Sequence, residues 1–199
     1  MNDQEKVDKK RRTLVAATSV VGGAAAVGAA VPFLASMWPS ERAKAAGAPV
    51  EAEIGSLQPG ELRVFEWRGK PVWVMRRTKE MLASLKADEA ELTDPESKHS
   101  EQPKYAKNEF RSAKPEFMVV QGVCTHLGCS PQLKPAEAKA EMGGDWAGGF
   151  YCPCHGSKFD YAGRVFRGSP APTNLVVPPY TFVSDASLLI GEDEEKKGT

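Results

Sequence analysis

All four cysteines of the chain and two of its three histidines fall in two short boxes. These are Cys124-Thr125-His126-Leu127-Gly128-Cys129 and Cys152-Pro153-Cys154-His155-Gly156-Ser157. Each box offers a Cys and a His two or three positions apart, plus one further Cys. That step lets both side chains of a tight loop turn toward one point, as a metal requires. Two cysteines and two histidines suit either tetrahedral zinc or a mixed-ligand [2Fe–2S] centre. Zinc sites, however, usually pair Cys with Cys at C-x2–4-C and His with His at H-x3–5-H, whereas here the two types interleave and two cysteines are left over. Two disulfides are a third option, since four cysteines allow three pairings, but they leave the repeated His unexplained.

The boxes follow the patterns C-x-H-x-G-C and C-x-x-H, and in this the chain resembles the Rieske iron–sulfur proteins. Position by position, the resemblance implies that Cys124 and Cys152 bind one iron of a [2Fe–2S] cluster and His126 and His155 the other. It implies a disulfide between Cys129 and Cys154, with Ser157 and Leu127 close to the cluster. Imidazoles in place of two thiolates make the cluster less negative and raise its potential above that of an all-Cys ferredoxin. Exposed imidazoles that lose a proton on oxidation couple electron acceptance to proton uptake, which suits a quinol donor. Many quinol-oxidising relatives carry a Tyr two residues beyond the box Ser, bonded to a ligand Cys. Here that position is Phe159, so Cys124 is expected to lack that donor. His99 lies in a polar stretch and reads as a solvated surface residue.

The elements that must carry these boxes begin with a basic run, Lys9-Lys10-Arg11-Arg12, ahead of an uncharged stretch from Thr13 to Ser40. Paired arginines before an apolar stretch resemble a twin-arginine export signal, which carries proteins folded around their cofactor. A span of about 26 residues at roughly 1.5 Å each exceeds the roughly 30 Å hydrocarbon core. Pro32 is expected to kink or end that helix. Ala43-Lys44-Ala45 has the look of a cleavage site, but length favours an uncleaved anchor, with the basic amino end on the cytoplasmic side. The expected division is therefore residues 1–12 as a cytoplasmic segment, 13–39 as a transmembrane anchor and 40–49 as a flexible linker. Residues 50–192 make the cluster domain and 193–199 a charged tail. In Rieske subunits of cytochrome bc complexes the linker is a hinge.

From Val50 onward the pattern is of short strands and turns, with one helical stretch at Lys79–Glu91 whose Met81, Leu82 and Leu85 share a face. Residues 50–54, 62–67 and 71–75 read as an antiparallel meander. Residues 93–115, polar and rich in proline, read as a surface insertion. Phe117–Gly122 and Gly149–Tyr151 deliver the two boxes, and residues 131–149 between them read as loop. Gly168-Ser169-Pro170-Ala171-Pro172 resembles the proline loop that covers the family's cluster. Tyr180–Ser184 and Leu188–Gly191 form a closing hairpin. The expected fold is mainly β: a small antiparallel β-sandwich with a cluster-binding subdomain, preceded by one transmembrane helix.

With 26 basic and 26 acidic residues the formal net charge is zero, and nothing suggests nucleic acid. A disulfide requires a compartment outside the cytoplasm. The resemblance implies the iron–sulfur subunit of a bacterial ubiquinol–cytochrome c oxidoreductase, single-pass in the inner membrane with its cluster domain in the periplasm. Its partners would be ubiquinol, cytochrome b, a c-type cytochrome and membrane lipid, with His155 and His126 as the catalytic pair. The alternatives are the small Rieske subunit of a periplasmic molybdenum oxidase, such as arsenite oxidase, and a zinc module without redox activity.

Overall fold

A computed structural model describes residues 3–40 and 47–193. The chain divides into two compact units, Met1–Ala45 and Ala46–Thr199. Ala43-Lys44-Ala45, most of the linker and the last six residues of the tail lie outside the described residues.

Among its described residues, the first unit holds one helix, α1 (Asp3–Ser36). Its stretch Asp8–Ser36 is apolar enough to cross a membrane, with a mean hydropathy of 1.9 in its most apolar part. Leu14, Val20, Val21, Phe33 and Leu34 all stand exposed, so no protein core covers them, and a helix apolar all round needs an apolar surrounding. The hydroxyls bond back along the helix, Thr13 to the Lys9 carbonyl and Thr18 to the Leu14 carbonyl, both at 2.9 Å. The helix starts before the expected anchor and takes in the basic run. It also continues four residues past Pro32 rather than ending there. The ring removes one hydrogen bond, to the Gly28 carbonyl, and the φ it fixes is itself helical.

The second unit holds three small antiparallel sheets. The central one joins β2 (Leu62–Trp67), β3 (Lys70–Arg76) and β4 (Phe117–Gln121), in the register Leu62↔Met75 and Val72↔Gln121. Its hairpin loop is Arg68-Gly69, with φ 53° and 70°. Positive φ at both positions suits the right-handed twist of the strands. Val72, Trp73, Val74 and Met75 are all buried, as expected of a central strand covered on both faces. Thr78 then caps α2 (Lys79–Ala87), its hydroxyl accepting from the Met81 N–H at 3.3 Å. A turn of 3-10 helix, Asp88–Glu91, completes the predicted helical stretch.

The outer sheet departs from the expected meander. β1 (Val50–Glu53) pairs with β9 (Ser187–Ile190) of the closing hairpin, Val50↔Ile190, and β8 (Tyr180–Phe182) completes that sheet. Alternation fixes which face of a strand is buried but does not choose its partner. Residues 93–115 also differ from a surface insertion: Asp94, Ser97, Ala106, Arg111 and Ser112 are buried. Their polarity belongs to an internal hydrogen-bond network. The third sheet contains β5 (Gln132–Lys134), β6 (Gly149–Tyr151) and β7 (Lys158–Phe159). Residues 131–149, where a loop was expected, hold β5, a short helix α3 (Lys139–Met142) and the buried Trp146.

Candidate metal centre

The first box lies between β4 and β5, and the second is the whole connection between β6 and β7. The two loops repeat one backbone pattern. The Cys124 N–H donates to the Cys129 carbonyl (2.7 Å) and the Gly128 N–H to the Cys124 carbonyl (3.0 Å). Likewise the Cys152 N–H donates to the Ser157 carbonyl (2.8 Å) and the Gly156 N–H to the Cys152 carbonyl (2.9 Å). Gly128 and Gly156 both have positive φ, 85° and 81°, which a side chain would oppose. The glycine in each box is therefore the residue that closes the turn on its leading cysteine.

A disulfide links Cys129 and Cys154, with Cα atoms 6.6 Å apart, and so ties the two loops together. Cys124 and Cys152 remain free thiols, both buried. The sulfurs of Cys129, Cys152 and Cys154 lie within 4.8 Å of one another, but the disulfide consumes two of them as ligands. Burial pushes the Cys124 thiol up, and the neighbouring Cys152 adds to this. The His126 backbone and the Ser157 side chain pull the other way. Phe159 is fully buried.

The two imidazoles also lie together, edge to face, with centroids 4.7 Å apart and planes at 86°. His155 is exposed and His126 half-buried. The Nδ1 atom of His126 is buried with no hydrogen-bond partner among the described residues, an arrangement that costs free energy unless a donor or a metal meets it. Leu127 is 72% exposed, an apolar side chain held out into solvent beside the histidines. His99 is exposed and takes no part in the site.

The proline loop closes over the second box. The Ala171 N–H donates to Ser157 Oγ (3.0 Å) and the Lys158 N–H to Ser169 Oγ (3.1 Å). The Thr125 hydroxyl donates to the Thr173 carbonyl (2.6 Å), joining the first box to the same loop. Sequence reasoning found the loop and Ser157 but missed Thr125, whose only signal was its place inside a box.

Residues 97–181 match the model of the Rieske [2Fe-2S] domain. Residues 1–40 match that of the Ubiquitinol-cytochrome C reductase Fe-S subunit TAT signal. The ubiquinol-cytochrome c reductase iron-sulfur subunit of Allochromatium vinosum is 58% identical over 184 residues, covering 92% of this chain and 89% of the relative. The chain belongs to the Rieske iron–sulfur subunits of ubiquinol–cytochrome c reductase. Subunits of the same name from Blastochloris viridis and Bradyrhizobium diazoefficiens are 44% and 41% identical. The first match covers 92% of both chains and the second 88% of both. These relatives favour the reductase over the molybdenum oxidase. The Rieske cofactor is a [2Fe–2S] cluster, and the residues present fit it. Two buried thiols stand together, two imidazoles stand together, and the orphaned Nδ1 of His126 has the lone pair a ligand needs.

Proposed function

We propose that this subunit takes one electron from ubiquinol and passes it to a c-type cytochrome, with Cys124 and Cys152 holding one iron and His126 and His155 the other. The observation that carries the ligand set is the unpartnered, buried Nδ1 of His126 beside an exposed His155. The cluster supplies a one-electron carrier whose potential is raised by its two neutral ligands. The chain supplies the rest. His155 presents its outer ring nitrogen to solvent, where it accepts a hydrogen bond from the quinol hydroxyl and takes up its proton. His126 stands half-buried beside it as the second imidazole. Leu127 and the proline loop keep water from the cluster and dock on cytochrome b.

The apolar helix α1 anchors the subunit in the bacterial inner membrane, in a single pass. The basic run Lys9–Arg12 stays on the cytoplasmic side and the cluster domain stands in the periplasm. The twin-arginine signal and the disulfide both agree with export of a folded protein. The linker, residues 40–49, is the tether about which the domain swings between its two partners.

The test combines elemental analysis and electron paramagnetic resonance on the reduced full-length protein. Two irons per chain and a paramagnetic signal are expected, with both lost in Cys124→Ser and in His126→Ala. Zinc in place of iron, or a cluster surviving either substitution, would overturn the assignment. In membranes, His155→Ala should abolish ubiquinol-dependent cytochrome c reduction.

A further inference from the structure

Three of the four sulfurs form a triangle with a chemistry of its own. The Sγ atoms of Cys129, Cys152 and Cys154 lie within 4.8 Å of one another, and Cys129 and Cys154 are already bonded. The third corner is a free thiol, Cys152, 1% exposed. Cys124, the other free thiol, stands outside this group. A sulfur–sulfur bond is about 2.05 Å long, so Cys152 has a gap of less than about 3 Å to close before it reaches either sulfur of the bridge. A thiol held beside a disulfide in this way is placed for thiol–disulfide exchange, in which a thiolate displaces one sulfur of the bridge and bonds to the other.

We propose that Cys152, when it is not bound to the cluster, rearranges the disulfide and moves the bridge from Cys129–Cys154 to Cys129–Cys152. The proposal rests on Cys152 being a cluster ligand, since that bond is what keeps its sulfur from reacting. The step balances within the chain. The Cys152 sulfur, as thiolate, attacks Cys129; the Cys129–Cys152 bond forms as the Cys129–Cys154 bond breaks. Cys154 leaves as a thiolate and takes up the proton that Cys152 gave up. One disulfide and two thiols stand before and after, so no oxidant or reductant takes part. Two features select Cys129 as the sulfur attacked. A bridge from Cys152 to Cys154 would close over Pro153 alone, whose φ is fixed. It would do so inside a turn already held by the Gly156 N–H on the Cys152 carbonyl (2.9 Å). Attack on Cys129 instead expels Cys154, which is exposed where Cys152 is buried. Water therefore meets the charge on the departing sulfur, which burial would penalise. The new bridge still joins the first box to the second, but it takes one ligand out of the site. The chain then cannot take up a cluster until the bridge is moved back.

The test starts from full-length protein in detergent, kept free of oxygen and stripped of iron with a chelator. It is held for minutes to hours, the time that uncatalysed disulfide rearrangement takes. Its thiols are then labelled with a maleimide in acid denaturant, and peptide mass spectrometry reads which cysteines carry the label. The iron-loaded protein, denatured directly, should carry label on Cys124 and Cys152. The stripped protein should still carry two labels per chain, with that on Cys152 lost, one gained on Cys154, and a Cys129–Cys152 bridge in the digest. Cys124→Ser, which prevents loading without touching the triangle, should show the same bridge without chelation, whereas Cys152→Ser should keep Cys129–Cys154. Native pairing in the stripped protein overturns the proposal, and so does a Cys152–Cys154 bridge. A mixture of pairings that draws in Cys124 overturns it as well, since that is the scrambling of an unfolded chain. Rearrangement in protein that keeps its iron would mean that Cys152 is not a ligand. That result overturns the ligand assignment and the protection it gives, while the reaction of the three sulfurs stands.

Discussion

Ser157 is the residue at which the second box meets the proline loop: its carbonyl accepts from the Cys152 N–H and its Oγ from the Ala171 N–H. Phe159, two residues on, is fully buried and carries no donor. Phe159→Tyr is expected to raise the midpoint potential by adding a hydrogen bond to a cluster sulfur. The measurement is a redox titration beside the parent protein. An unmoved potential, with the new hydroxyl shown to reach Cys124, would show that the missing phenol does not set the potential. The Cys129–Cys154 disulfide calls for a separate experiment. Replacing both by Ser should leave iron bound but lower stability by about 2–4 kcal/mol, read by denaturant unfolding, together with a lower potential. Loss of all iron would instead mean that the two loops cannot be held by the cluster alone. These residues were the most legible part of the sequence, because metal-site chemistry dictates both type and spacing. Thr125 was not legible, since a hydroxyl within a box says nothing about which distant carbonyl it reaches.

Elements deliver those residues through contacts that composition only partly announces. Trp73 on β3 stacks on Phe150 of β6, with centroids 4.9 Å apart and planes at 29°. This contact couples the central sheet to the sheet that carries the second box. It is possible because Gly122, just past β4, has no side chain: a Cβ there would fall inside the Trp73 indole. Gly122 also donates its N–H to the Pro71 carbonyl at 2.8 Å, so its backbone has little freedom to move away. Gly122→Ala should therefore displace Trp73 and destabilise the domain by about 1–3 kcal/mol, the usual cost of overpacking. A lower unfolding midpoint with an altered near-ultraviolet tryptophan signal would bear this out; an unchanged signal would refute it. The strands themselves followed from alternation and the Arg68-Gly69 turn. The partner of β1 did not, because pairing across some 140 residues is decided by packing. Residues 93–115 were misread for a related reason: a polar segment signals solvent unless its hydrogen-bond partners, here residues 160–175, are already known.

At the scale of the whole molecule, three buried arginines from distant segments converge on the turn that follows the second box. Arg77 donates to the Tyr161 carbonyl (3.2 Å), and Arg111 to the carbonyls of Ala162 (3.2 Å) and Leu175 (2.7 Å). Arg164 pairs with Asp160 at 2.7 Å. Burial lowers Arg77 and Arg111 to about 10, with Asp160 opposing the fall in both. Asp160→Asn removes the carboxylate nearest all three and should cost about 3–5 kcal/mol, measured by denaturant unfolding; a loss under about 1 kcal/mol would show that the carbonyls alone suffice. Asp88 borders the same charges, and its buried Oδ2 has no hydrogen-bond partner among the described residues. Burial first, and then Asp160, push its carboxyl from the ordinary 3.8 to about 6, against the pull of Arg164. Between those two values the native state holds a proton that the unfolded state has released, so stability falls as pH rises through this window. Below about 3.8 both states are protonated and nothing is lost; above about 6 the loss is complete. Asn mimics the protonated form at every pH. Asp88→Asn should therefore match the parent near pH 4 and exceed it above pH 6 by on the order of 1–3 kcal/mol. Unfolding curves for both proteins at a series of pH values decide the matter, since every other titrating group cancels in their difference. Two curves that stay parallel from pH 4 to 7 would mean that Asp88 is ionised throughout, and that Arg164, although held by Asp160, still neutralises it.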